Sequence, residues 1–163
     1  MSTKRIATAN IDIAAPIHTV WAAMLNFDAY PVWNPFIYKV SHHPKTLTLG
    51  STFLLHVRWA NGSTYNSWEV LTHLDPPTVG ADGICRALLT YRYASWQVRL
   101  GLVRAERRQV LSQPAAGLTS YSTQESFHGM LTRLLPLQAV EDGFKRHAAA
   151  LKVRAEGLAK QKS

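Results

Sequence analysis

One cysteine, Cys85, is present among 163 residues, so no internal disulfide can form and a reducing compartment is the expected setting. No apolar run approaches the roughly 20 residues of a membrane-spanning helix, and Met1 to Asn10 lacks the apolar stretch of a secretory signal. The expected location is cytoplasmic, without stable membrane insertion. Internal repeats and low-complexity segments are absent. The seven histidines show neither HxH nor HxxxH spacing and a lone cysteine cannot build a zinc knuckle, so no metal site is expected. No G-x-S-x-G elbow, Walker loop or G-x-G-x-x-G fingerprint occurs, which leaves hydrolase, nucleotide-hydrolysing and dinucleotide readings without support and implies no cofactor.

Acidic residues are scarce. Lys and Arg total 18 against 10 Asp and Glu, an excess of 8. The excess concentrates late, with six basic residues and one acid, Glu156, between Lys145 and Lys162. A charged helix back is commonly a solvated face; the functional alternative is attraction of an anionic substrate, an acyl-carrier partner or a membrane surface. No zinc-finger spacing, RNP sequence or helix-turn-helix pattern accompanies the charge, so nucleic acid is not an expected partner.

What is present argues for a packed core. The apolar fraction is 47% with five Trp, and the length suits one substantial core, so residues 1–163 are expected to form a single domain. The most informative stretch is 11–36. Ile11 and Ile13 share one face of a strand, and Pro16 falls where a helix's first turn tolerates a missing N–H. Ile17, Val20, Trp21, Met24 and Leu25 then follow helical spacing, which makes Trp21 a structural residue. Phe27, Tyr30 and Trp33, bracketed by Pro31 and Pro35, read as a short second helix or turn.

Strands are expected at about 37–41, 50–60, 63–74, 78–84, 88–99, 103–113 and 117–128. Asn61-Gly62 is a hairpin signal of the type I′ kind, and Ala116-Gly117 a weaker one. From about Thr132 the pattern turns helical: Leu137, Val140, Phe144, Ala148, Leu151, Ala155 and Leu158 recur at three- and four-residue steps, with Pro136 at the first turn and Gly143 weakening the helix. An antiparallel sheet must bury one face, and a long helix with one apolar stripe can cover it.

Ala15, Pro16, Val20, Trp21, Met24, Asn26, Phe27, Tyr30, Trp33, Asn34 and Pro35 resemble the opening signature of the START-like (SRPBCC, helix-grip) superfamily, in its polyketide cyclase/dehydrase-type branch. Gln124-Glu125-Ser126-Phe127-His128-Gly129-Met130-Leu131 is similar to that family's last strand, and Leu74-Asp75-Pro76-Pro77 to its turn between strands. The resemblance implies an α+β helix-grip fold: a curved antiparallel sheet of about seven strands wrapped on a long C-terminal helix, with two short helices after the first strand. It also implies a deep cavity between sheet and helix.

Strand alternation nominates the lining. Phe53, Leu55, Val57 and Trp59 share one face, expected to be inward. In 63–74 the inward set is expected to be Asn66, Trp68, Val70, Thr72 and Leu74, leaving Tyr65, Ser67 and Glu69 outside. Trp59 and Trp68 are stacking candidates, with core filling as the plainer reading. Glu125 alternates with Thr123 and Phe127; facing an apolar cavity it would rise in pKa and become a general acid or base, whereas a salt bridge to an arginine such as Arg108 is the structural alternative. Ile84 to Leu102 departs from the family pattern, and Tyr91, Tyr93 and Trp96 are candidates for a wall or lid, the tyrosines able to stabilise an enolate, with an extended hairpin bearing exposed aromatics as the plain alternative. Phe127, Phe144 and Leu151 complete the ligand-binding set. His147 lies one position before the apolar stripe of the long helix and could edge into the cavity, although a histidine on a helix flank is more often exposed.

Two function classes follow. One is a cofactor-free enzyme that guides cyclisation, dehydration or isomerisation of a polyketide-like or related intermediate, needing a shaped apolar cavity and one or two proton-transfer groups. The other is a non-catalytic carrier of a hydrophobic small molecule such as a lipid, sterol or quinone. Glu125, Tyr91, Tyr93 and Asn66 favour the enzyme, and a chaperone-regulating protein is disfavoured. The oligomeric state, monomer or homodimer, is not legible.

Overall fold

Strand β1 (Arg5–Ile13) buries Ala7, Ala9 and Ile13 on one face, and Pro16, with φ of −61°, then sets the first turn of helix α1 (Ile17–Leu25). In the computed structural model, which describes residues 5–161, α1 buries Ile17, Val20, Trp21 and Met24 as the helical stripe requires. A 3₁₀ turn at Phe27–Ala29 leads into the short helix α2 (Tyr30–Trp33). Six strands follow: β2 (Ile37–Ser41), β3 (Thr52–Arg58), β4 (Thr64–Val79), β5 (Cys85–Tyr93), β6 (Arg104–Ala115) and β7 (Leu118–His128). A one-turn helix α3 (Trp96–Arg99) interrupts the β5–β6 connection, and α4 (Leu137–Gln161) ends the described chain.

The sheet is antiparallel throughout, in the order β1-β7-β6-β5-β4-β3-β2. Strands β2 to β7 form a meander, and β1 closes it by pairing with β7. Helix α4 packs chiefly along β1 and against α1, burying Val140, Phe144, Ala148, Leu151 and Ala155. This is the helix-grip arrangement. No helix among the described residues is long and apolar enough to cross a membrane.

The observed strands revise two expectations. Leu74-Asp75-Pro76-Pro77 is not a turn: it lies within β4, and the β4–β5 ladder is irregular between Asp75 and Thr78. Proline has no N–H to donate, so it occupies the stretch where pairing lapses. The turn comes later, where Gly80 donates to Ile84 and Gly83 to Gly80. The expected strands 63–74 and 78–84 are thus one long strand and a turn, and the expected strand 88–99 runs instead from Cys85 to Tyr93.

The hairpin at Asn61-Gly62 forms, but as a three-residue loop. Trp59 pairs with Ser63 through its N–H at 2.9 Å, Gly62 donates to Trp59 O, and only Gly62 takes a positive φ, +85°. A two-residue type I′ turn would instead oppose Ala60 to Ser63. That single-residue difference moves every side chain of β4 to the opposite face. Phe53, Leu55 and Val57 therefore stand opposite Glu69, Ser67 and Tyr65, and Asn66 and Trp68 stand opposite His56 and Leu54 on the outer face. The expected inward set of β4 is inverted.

Gly143 is needed in α4 for space. A Cβ there would lie 2.2 Å from Cε2 of Phe36, whose ring packs edge-on to Phe144. Gly143→Ala gains helix propensity of about 1 kcal/mol, but it forces the ring or the helix aside at a cost of about 1–3 kcal/mol. The expected outcome is a lower denaturation midpoint at unchanged m-value; a variant more stable than wild type would show that Phe36 yields freely.

Candidate functional site

Between the inner face of the sheet and the first half of α4 lies a cavity of about 350 Å³. Its walls are apolar: Phe36, Leu55, Val57 and Trp59 on one side, Phe127 and Phe144 on the other, with Leu135, Pro136 and Val140 closing it at the start of α4. The floor is different. There, β4 contributes Tyr65, Ser67 and Glu69, β5 Tyr91 and Tyr93, β6 Arg107, and β7 Glu125.

Register explains the grouping. Arg107 stands directly opposite Tyr91 on one side and Glu125 on the other, so these three form one row across β5, β6 and β7. Glu69 stands opposite Tyr93 in a second row. Directly opposed residues share a face, so the turns that fix the register also assemble the polar floor.

Arg107 is the centre of this floor, only 3% exposed. Its Nε donates to Thr123 Oγ1 at 3.0 Å, Nη1 to the Tyr91 hydroxyl at 3.1 Å, and Nη2 to the Tyr121 hydroxyl at a long 3.5 Å. Tyr121 passes its own proton to Gln109 Oε1 at 2.7 Å. The guanidinium also lies over the ring of Phe144, 4.2 Å from its centroid. Among the described residues no carboxylate comes within ion-pair distance of it. The alternative partner for Glu125, Arg108, stands opposite Gln124 on the outer face.

The two carboxyls are set by desolvation. Burial, reinforced by the nearby Glu125, pushes Glu69 up to about 8, against the opposing pull of the Ser67 hydroxyl and Arg107. Ser67 Oγ donates to Glu69 Oε1 at 2.5 Å. Burial pushes Glu125 up to about 7, with Arg107 opposing. Near neutrality the floor therefore holds a carboxyl that is partly ionised and a second that stays mostly protonated, and because the two interact they titrate as a pair. Burial likewise raises the phenols of Tyr91 and Tyr65, the latter donating to Tyr93 at 3.1 Å. These hydroxyls remain neutral donors.

Of the residues expected from sequence, Glu125, Tyr91, Tyr93, Trp59, Val57, Phe127 and Phe144 line the cavity. Phe53 and Leu151 are buried beside it in the core, Phe53 wedged between Phe27 and Tyr91. Asn66 and Trp68 are on the outer face; Trp68 is 43% exposed and packs near His42. The side chain of Trp96 lies outside the described residues. Sequence reasoning missed Arg107, Glu69, Ser67 and Tyr65. A signal for Arg107 existed, since it alternates with Ala105, Gln109 and Leu111, all buried.

The Trp33-Asn34-Pro35 motif works from beneath. Asn34 Oδ1 accepts from the N–H groups of Phe36 and Ile37, which leaves Nδ2 to donate to His147 Nδ1 at 2.9 Å. The proton of His147 therefore sits on Nε2. His147 is fully buried rather than exposed, stacked on Tyr121, and burial holds its pKa well below the ordinary value. Its Nε2 and the indole Nε1 of Trp33 find no acceptor among the described residues. On the outer face, a groove lined by Arg92, Arg99, Arg104 and His128 shares Tyr93 and Ala105 with the inner cavity.

No family model matches the sequence, and no curated protein does. Solved structures do share the fold. An aromatase/cyclase, ZhuI of Streptomyces sp. R1128, superposes with a TM-score of 0.65 at 18% identity, over 98% of this chain and 96% of that one. A norcoclaurine synthase of Thalictrum flavum, in complex with a transition-state analogue, gives 0.64 at 11% identity over 100% and 99%. Ara h 8.0201 gives 0.62 at 13% identity over 98% and 99%. At these identities the likeness establishes the helix-grip fold.

The raised carboxyls fix the sign of a pH effect. In the unfolded chain both titrate near 4.5, the ordinary glutamate value, and folding raises them to about 8 and about 7. Their stabilising contribution is complete below the unfolded value and is lost as pH rises through the folded ones, a few kcal/mol in order of magnitude. The melting temperature of wild type should fall between about pH 5 and about pH 9 more steeply than that of Glu69→Gln/Glu125→Gln. Parallel curves for the two proteins would place both carboxyls in water.

Proposed function

We propose that the chain is a cofactor-independent enzyme that cyclises, dehydrates or isomerises a hydrophobic, polyketide-like intermediate held in the sheet–helix cavity. The observation that carries the reading is the pair of carboxyls raised to about 7 and about 8, flanking a buried guanidinium on the floor of an otherwise apolar chamber. Carboxyls raised by burial beside a charged group in a cleft are the mark of a candidate acid–base site.

Ionised Glu125 removes a proton from the carbon next to a carbonyl. The enolate oxygen so formed is stabilised by the positive charge of Arg107 and by the neutral hydroxyl groups of the floor, all in place beforehand. Protonated Glu69 returns a proton, either to carbon or to a departing hydroxyl. Trp59, Phe127 and Phe144 hold the chain of the substrate in the folded conformer from which the new bond forms. The fold shared with an aromatase/cyclase and a norcoclaurine synthase supports this reading at the level of architecture. A non-catalytic carrier is the alternative, favoured by the predominance of apolar residues in the lining.

Enolisation gives a test that needs no native substrate. In D₂O, wild type should accelerate exchange of the α-hydrogens of β-tetralone, followed by NMR. Glu125→Gln should slow the enzymatic exchange roughly 10²–10⁴-fold, the usual worth of a positioned base, with affinity for the ketone changed far less. The rate should rise with ionisation of Glu125 near pH 7, and return of protons by Glu69 should weaken above pH 8. Binding of the ketone without exchange in wild type would make the protein a carrier.

A further inference from the structure

The floor of the cavity is built almost entirely of donors. Arg107 has five N–H groups; Nε is committed to Thr123, and one hydrogen on each terminal nitrogen goes to Tyr91 and Tyr121. One N–H remains on each of Nη1 and Nη2. With Nε occupied, the edge of the guanidinium left for a planar acceptor is the end-on fork formed by those two nitrogens. The Tyr91 hydroxyl accepts from Nη1 and donates to no described residue, so its hydrogen is uncommitted as well. Glu69 and Glu125, when protonated, add O–H donors on neighbouring positions of the same floor.

A buried guanidinium ordinarily has a carboxylate against it, because moving an unpaired charge out of water is costly. Here the charge is kept in a cavity whose other walls are apolar, and the nearest satisfied partners are neutral hydroxyls. Among the described residues no anion is in hydrogen-bond contact with it, and Glu125 opposite is mostly protonated below about pH 7. We propose that the ligand is a hydrophobic acid whose single carboxylate seats end-on against Arg107, with Tyr91 donating to one of its oxygens, while its apolar body lies between Trp59, Phe127 and Phe144. This rests on the cavity being the substrate site, as above, and it narrows the substrate to molecules that enter as monoanions. At about 30 Å³ per water, 350 Å³ holds the equivalent of about a dozen waters. A bicyclic aromatic acid is of that size.

The net charge of +8 also attracts anions, and that attraction is unspecific. Salt separates the two, since surface charge is screened and a buried one is screened little.

The test is calorimetric titration of the full chain with β-naphthoate and its uncharged isostere β-naphthamide at about pH 6, where both glutamates are mostly protonated. Wild type should prefer the acid by roughly tenfold or more, the usual worth of charge-assisted hydrogen bonds, and should keep that preference in raised salt. Arg107→Met should lose the preference while still binding the amide. Tyr91→Phe, which keeps the ring against Phe53, should reduce it severalfold; this variant carries the test if circular dichroism shows Arg107→Met unfolded. Equal affinities in wild type, a preference abolished by salt, or a preference intact in both variants would overturn the inference. None of these outcomes bears on the exchange of β-tetralone, which decides the acid–base role separately.

Discussion

A single positive charge, taken out of water without a carboxylate beside it, constrains the centre of this molecule. The guanidinium of Arg107 must be solvated by the protein, and the protein does so with three hydroxyls from β5 and β7 and with the face of Phe144 from the long helix. The contacts come from both layers of the grip, three from the sheet and one from the helix, so the position of α4 over the sheet and the charge on the floor are mutually dependent. Tyr121 carries the effect further, linking Arg107 to Gln109 by hydrogen bonds and stacking on His147. His147 in turn is held by Asn34, the residue that also ties down the start of β2. A chain of packed and hydrogen-bonded groups thus runs from the cavity floor to the loop after the first helices.

The same charge shapes its neighbours' protonation. An apolar chamber alone would drive both glutamates far upward; Arg107 opposes that shift for each, and the outcome for both lies near neutrality. Glu125 stands directly opposite Arg107, whereas Glu69 is pushed up by the nearby Glu125 as well as by burial. Two identical side chains acquire separate electrostatic surroundings from placement in one sheet. Divergence of paired titrating groups is how acid and base functions are assigned at a common pH.

The large apolar periodicities were legible in the sequence because helical stripes are redundant: α1 and α4 each repeat their signal several times, and one misjudged position does not change the result. Strand faces have no such redundancy. The Asn61-Gly62 pair marked the hairpin correctly, yet the choice between a two-residue and a three-residue loop decided whether Glu69 or Trp68 faced inward, and the pair is compatible with either. A bulky Trp on the outer face and a glutamate on the inner one also run against hydrophobic patterning, as happens where function overrides the core. Arg107 was passed over for the same reason: beside Arg108, in a doublet, composition cannot say which charge is buried, and only the register with β7 does. The Leu74-Asp75-Pro76-Pro77 segment carried strong turn chemistry, but β4 continues through it because irregular pairing removes the demand for an N–H.

The sheet and long helix that the chain shares with ZhuI and with norcoclaurine synthase bound the chamber. One further property comes from the end of the β5–β6 ladder. The β5–β6 ladder ends at Arg92 and Glu106, and beyond it Tyr93 and Ala105 serve both the inner cavity and the basic outer groove. Because these two side chains belong to both linings, one substitution at Ala105 reaches two compartments at once: a larger side chain there would take volume from the apolar chamber and from the arginine-lined groove together.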